Sequence, residues 1–183
     1  MFRTVIFSPF VSGHRNGDRA ANLAGLELVR ELGIYTVLPW PCDSPLAYAT
    51  GLEWARERYD RIITVEHDMA VHPLQIAELA TCPHPECVFA YYVGNTRDGD
   101  VTPELAHRKL VDGKEVPIVE GDKFADRISL GLAKIDAAAW EGVRARPMVP
   151  RVSWRSLAWE LSVRLSDQWH VHWPAVAHHH WNS

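Results

Sequence analysis

The residues Asp43 to Met69, DSPLAYATGLEWARERYDRIITVEHDM, decide the fold. Asp43-Ser44-Pro45 is a helix start, a capping side chain followed by proline in the first turn, and Asp43 is the expected cap. Ala47, Gly51, Trp54 and Ala55 lie on that helix, which is predicted to stop near Tyr59. Ile62 to Val65 is a continuous apolar run, as expected of a strand buried on both faces. It leads directly into Glu66-His67-Asp68.

The same alternation extends to either side. Thr4 to Phe7 reads as a buried strand that ends at Ser8-Pro9, followed by a polar turn through Gly17. A helix is predicted over Asp18 to Leu32, with Ala21, Ala24, Leu28 and Leu32 on its apolar face and Gly33 just past its end. Ile34 to Leu38 is the second strand, Pro73 opens a short helix to about Ala80, and Cys87 to Val93 is the fourth strand. Strands alternating with helices imply right-handed crossovers and an α/β fold with a mostly parallel central sheet flanked by helices. Ligands of such sheets sit at the carboxyl ends of the strands.

Beyond Asn95 the pattern dissolves into charged and turn residues as far as Asp126. This is predicted to be a surface excursion, a hairpin with Val116 to Val119 as one strand; a long loop beside a site also suits a mobile lid. Strand character resumes over Ile128 to Ile135. Ser153 is expected to cap a helix to about Ser166 that buries Trp154, Leu157, Ala158, Leu161 and Leu165. Trp169 to Trp173 is the last predicted strand.

Composition limits the function classes. A chain of 183 residues fits one domain, here 1–183, and 47% hydrophobic with 23% charged residues supports a core. A net charge of −4 without a basic stripe gives no indication of a nucleic-acid partner. MFRTVIFSPF turns polar too soon for a signal peptide, and no apolar run reaches the length of a membrane span. The three cysteines Cys42, Cys82 and Cys87 suit a reducing compartment, so a cytoplasmic location is expected.

Glu66 and Asp68 are the main chemical signal. Residues i and i+2 of an extended segment point to one side, and two adjacent carboxylates repel unless a proton or cation lies between them. Oxygen donors suit Mg²⁺ or Mn²⁺, which would keep positions open for diphosphate oxygens. The rival reading is a solvated turn whose acids cap the following helix. Cys82-Pro83-His84-Pro85-Glu86-Cys87 offers three soft ligands within six residues. Lacking a fourth ligand, that segment reads as a proline-rich turn. A glycine-rich Lys-Ser/Thr loop, a Gly-x-Ser-x-Gly elbow and a Gly-x-Gly-x-x-Gly fingerprint are all missing from the sequence.

The stretch from Asp43 to Met69 resembles the nucleotide-sugar half of the GT-A fold glycosyltransferases, where a polar loop and small-residue helix precede a strand ending in a metal-binding Asp-x-Asp. Glu66-His67-Asp68 takes the place of that motif, with Glu for the first Asp. The resemblance implies a Rossmann-like nucleotide-sugar-binding core and an Mn²⁺ or Mg²⁺ ion held by Glu66 and Asp68. It further implies a nucleoside-diphosphate sugar donor and an acceptor of unspecified kind. Ser8, Pro9 and Phe10 would line the base, Arg15 would meet a phosphate, and Asp43 would contact uridine or ribose. Leu157 to Leu165, LAWELSVRL, is similar to the family's Glu-Asp-x-x-Leu-x-x-Arg region, but Leu157 and Ala158 stand where the acid pair belongs. Glu160 is then the candidate catalytic base, or else a surface partner of Arg164. VHWPAVAHHHW is similar to the terminal strand-plus-histidine segment, which makes His178 and then His180 the expected further metal ligands. A nucleotidyltransferase of related core, a metal-dependent hydrolase and a non-catalytic binding member of the fold remain the alternatives.

Overall fold

The computed structural model of the chain describes residues 2–10, 16–97, 100–140, 154–165 and 168–176. Ser153, and with it the expected cap of the last helix, lies outside them.

Three parallel strands form one side of the sheet: β1 (Thr4–Phe10), β2 (Thr36–Pro41) and β3 (Arg61–Val65), with β1 in the middle. The helices between them are α1 (Asn16–Glu31) and α2 (Pro45–Arg56). After β3 come α3 (Pro73–Thr81) and β4 (Glu86–Arg97). β5 (Asp100–Leu105) folds back on β4 as an antiparallel hairpin, and β6 (Arg108–Val111) pairs with β7 (Lys114–Pro117) in a second one. β8 (Phe124–Ala125), β9 (Leu132–Asp136), a 3-10 turn at Ala137–Trp140, α4 (Trp154–Leu165) and β10 (Trp169–Val176) complete the described chain.

The main sheet has the order β2-β1-β3-β9-β4-β10-β8, with β5 attached to β4. β9 runs antiparallel to both β3 and β4, so β2, β1, β3, β4 and β10 all point one way while β9 and β8 oppose them. The α/β class and the mostly parallel sheet flanked by helices are as expected, with β9 and β8 as the opposed strands on its main path. The predicted strand at Ile128 to Ile135 shrinks to β9, which pairs Leu132 with Val65 and Asp136 with Arg61, so the chain enters the sheet at its carboxyl end and runs in reverse. β2 lies at one edge and carries Pro39 and Pro41; β8, at the other, is two residues long.

Side-chain alternation along the buried strands supplies two cores. Val5, Phe7, Ile62, Val88 and Ala90 face one way and pack with Tyr48, Leu52 and Ala55 of α2 and Leu161 and Leu165 of α4. Ile6, Ile63, Val65, Phe89 and Tyr91 face the other way, toward Leu26 and Val29 of α1 and Ile76 and Leu79 of α3. Helices thus cover both faces. Among the described residues no helix is long and apolar enough to cross a membrane.

Three local expectations are corrected. α1 does not bury the predicted face: Leu28 and Leu32 are about half exposed, whereas Gly25, Leu26 and Val29 are buried. A Cβ at Gly25 would collide with the backbone of Val71, so the helix docks where its surface is smallest rather than along its longest leucine stripe. The cap of α2 is Ser44, whose Oγ accepts from the Ala47 N–H at 3.1 Å, and Asp43 is exposed ahead of it.

Residues 95–126 are also more than a surface excursion. They form two hairpins, the predicted strand at Val116 to Val119 is β7, ending at Pro117, and Leu105 and Ile118 join the α2-side core. His107, fully buried, bonds through Nε2 to the Phe89 carbonyl at 2.9 Å and accepts the Ser129 N–H at Nδ1, 3.3 Å. Nε2 therefore carries the proton of a neutral ring, and burial pushes the His107 pKa down to about 4.

Candidate functional site

The strand ends of β1 and β3 lie side by side, since Phe7 pairs with Thr64. At the end of β3 the chain does not stay extended. Met69 N–H bonds the Glu66 carbonyl at 2.9 Å, so Glu66-His67-Asp68-Met69 is a turn, and the same-side argument from strand alternation does not apply. The acids are positioned by other means. The Glu66 N–H donates to the Gly131 carbonyl at 2.9 Å, and the Tyr48 hydroxyl donates to Glu66 Oε1 at 3.3 Å. Gly131 N–H in turn donates to the Tyr91 hydroxyl at 3.2 Å, an approach only glycine permits, because an added Cβ would sit 2.7 Å from that ring.

Asp68 is only 6% exposed and Glu66 is half-buried. Both charges act on Tyr91: burial, then Glu66, then Asp68 among smaller effects, hold its hydroxyl well above the usual range. Burial and then Glu66 do the same to Tyr48. Burial, Glu66 and Asp43 together push the Cys42 thiol up to about 12, so this cysteine is no nucleophile at neutral pH. The strand ends thus form an oxygen-rich, negatively biased corner in which the tyrosines stay protonated donors. Two carboxylates there, one of them buried, are a donor set suited to a hard divalent cation.

Ser8, Pro9 and Phe10 belong to β1 itself rather than to a turn after it. Ser8, 3% exposed, and Phe10 line a cleft of about 530 Å³ with Leu23, Leu26, Arg30 and Pro39, between α1 and the ends of β1 and β2. Arg30, at its lip and paired with Glu27 at 2.6 Å, is a cation the sequence reading did not single out. The Phe10 carbonyl accepts the Cys42 N–H at 2.8 Å, which brings Asp43 next to the end of β1. Glu160 lies on α4 with its carboxylate 3.7 Å from Arg164, the surface-pair geometry expected of i, i+4 neighbours. Arg15, His178 and His180 fall outside the described residues.

A second cluster occupies the opposite end of the sheet, where β4 and β10 begin. One donor atom from each of Cys82, His170 and His172 lies within 4.8 Å of the other two. A hydrogen bond from the Cys87 thiol is the largest of several effects that hold the Cys82 thiol down at about 4. Its companion effect, with burial, drives Cys87 far up. In the sequence His170 and His172 lie within the last predicted strand and are assigned no chemistry. The usable signal was His170-x-His172 within a strand, which places both rings on one face.

No family model and no curated protein matches the chain. Among solved structures, the chain is similar to 4-diphosphocytidyl-2C-methyl-D-erythritol synthase from Anaerococcus prevotii, at 12% identity and a TM-score of 0.43, over 96% of this chain and 90% of that one.

Proposed function

We propose that the chain is a metal-dependent transferase acting on a nucleotide substrate, and specifically a glycosyltransferase that moves a sugar from a nucleoside-diphosphate sugar to an acceptor hydroxyl. The observation that carries this reading is the buried Asp68 with half-buried Glu66 at the carboxyl end of β3, the strand paired with β1, whose Ser8 and Phe10 line a cleft. Crevices outside the carboxyl ends of strands are where open α/β sheets bind ligands.

In this reading Asp68 and Glu66 hold Mg²⁺ or Mn²⁺, which when bound neutralises charge developing on the diphosphate leaving group. Tyr48 fixes the Glu66 carboxylate by donating to Oε1. Ser8, Pro9, Phe10 and Asp43 contact the nucleoside, and Arg15 meets a phosphate as a bidentate donor. Glu160 is assigned to the acceptor hydroxyl, as general base if configuration inverts and as a binding group if it is retained. His178 and His180 are the remaining candidate ligands.

The test is thermal unfolding of the full chain with nucleoside triphosphates and nucleoside-diphosphate sugars, with and without Mn²⁺. A ligand that binds only the folded chain adds about 2.7 kcal/mol at a hundredfold excess over its dissociation constant. A metal-dependent rise with one sugar nucleotide, abolished in Asp68→Asn, is the expected result. A rise with a triphosphate alone would replace sugar transfer by nucleotidyl transfer, and no rise with any ligand would overturn the proposal.

A further inference from the structure

We propose that Cys82, His170 and His172 form a second metal site, for a borderline-to-soft divalent cation of the zinc class, at the amino end of the sheet and separate from the carboxylates of β3. Three elements converge there. Cys82 is the residue on which α3 ends, its φ of −57° and ψ of 129° turning the chain out of the helix. His170 and His172 sit two apart on β10, in register with Cys87 and Phe89 of β4, so all four side chains face the α3 side of the sheet.

The Cys82–His170 separation fits a tetrahedral ion, and the donor atoms of all three residues lie within 4.8 Å of one another. Cys82 Sγ is 3.7 Å from His170 Nδ1. Metal bonds of about 2.3 Å to sulfur and 2.0 Å to nitrogen at a tetrahedral angle place those atoms roughly 3.5 Å apart. His172 shows the carboxylate–histidine arrangement that typically backs a metal ligand: its Nδ1 is 2.6 Å from Glu78 Oε1. That leaves Nε2 for the ion. His172 is 8% exposed, and this Nε2 is buried with no hydrogen-bond partner among the described residues. Aromatic packing accounts for the stacking of His84 on His170, at 4.2 Å and 14°, but leaves such a nitrogen unsatisfied at a cost.

The surroundings support the assignment. Lys134, fully buried, donates to the Cys82 carbonyl at 2.9 Å and to that of His84, and Asp136 lies 3.8 Å from its ammonium. The turn bearing Cys82 is thereby fixed, and the lysine charge is balanced locally. With three protein ligands, a fourth position remains on the half-exposed His170 side for water or an incoming ligand.

The experiment strips the purified full chain with chelator and titrates it with Co²⁺, then Zn²⁺. Co²⁺ should give tetrahedral visible bands and a thiolate charge-transfer band, both bleached by Zn²⁺. Asp68→Asn should retain these bands, and Cys82→Ser should lose the charge-transfer band. Glu78→Gln, at an exposed position and so tolerant of replacement, should weaken Co²⁺ binding by about 10–100-fold. Zn²⁺ should also slow iodoacetamide alkylation of Cys82, read by mass spectrometry. Absence of cobalt bands in the wild-type chain, bands unchanged in Cys82→Ser, or alkylation of Cys82 at the same rate with and without Zn²⁺ would each overturn the proposal; the last would mark Cys82 as a free thiolate nucleophile.

Discussion

At the carboxyl ends of β1 and β3 the polar groups are carboxylates on a turn, faced by phenols from α2 and β4; at the amino ends of β4 and β10 they are a thiol, imidazoles and buried cations locked to backbone carbonyls. The first corner gathers hard oxygen donors beside an open cleft. The second gathers sulfur and nitrogen behind a frame in which Arg61 grips Asp136 at 2.5 and 2.9 Å and also reaches the Ala80 carbonyl. Arg61 and Lys134 together satisfy carbonyls at and just beyond the end of α3, where the helix dipole favours positive charge. The contrast teaches that one sheet can keep its adaptable chemistry at one end and its rigid anchoring at the other.

The contrast is sharpened most by breaking the oxygen corner. Asp68→Asn is expected to lower turnover of the proposed transfer reaction on the order of 10³-fold, the several kcal/mol that a metal supplies to a leaving group, with unfolding stability preserved. Steady-state rates and urea unfolding of the same sample read both halves of that statement. If stability falls along with turnover, the corner is structural and the comparison fails.

At the other end the expected loss is in folding. Arg61→Ala leaves half-buried Asp136 with only the longer contact to Lys134 at 3.8 Å and removes the donor to the Ala80 carbonyl, which costs about 3 kcal/mol in urea unfolding. A variant that unfolds at the wild-type midpoint would show that the amino end is not the anchor.

Between the two ends sits His107, and its effect is read by pH. The folded pKa of about 4 lies below the ordinary 6.5, so between those values the unfolded chain binds more protons than the folded one. Stability from this group is fully present above pH 6.5 and lost as pH falls toward 4, by about 3 kcal/mol in total. Unfolding free energies across that range, compared with those of His107→Gln, isolate it; equal slopes would remove the assignment. The smallest effect belongs to the cap of α2: Ser44→Ala is expected to cost about 1 kcal/mol, and Asp43→Ala much less. The reverse order would return the cap to Asp43.

What the sequence could reveal follows from how far apart the cooperating residues are. The β1-α1-β2-α2-β3 order was legible because each buried strand is a contiguous apolar run with its own breaker residues. The acids after β3 were legible for the same reason, although their turn was not, since the Gly131 and Tyr48 contacts that fix Glu66 come from distant segments. The α1 face was misread because leucines at helical spacing formed a longer stripe than Gly25, Leu26 and Val29, and only the approach of Val71 decides between them. The reversed direction of β9 left no local mark. The Cys82–His170 contact joins residues 88 positions apart, beyond the reach of any spacing rule.

The prolines of the outer strands bear on how the molecule behaves in crowded solution. Unpaired amides along a sheet rim are templates for another chain. β2 interrupts that row at Pro39 and Pro41, β5 at Pro103 and β7 at Pro117, while β8 offers two residues. A neighbouring copy therefore meets gaps in the donor ladder along these strands, and ribbon-like growth into fibres is discouraged at those rims.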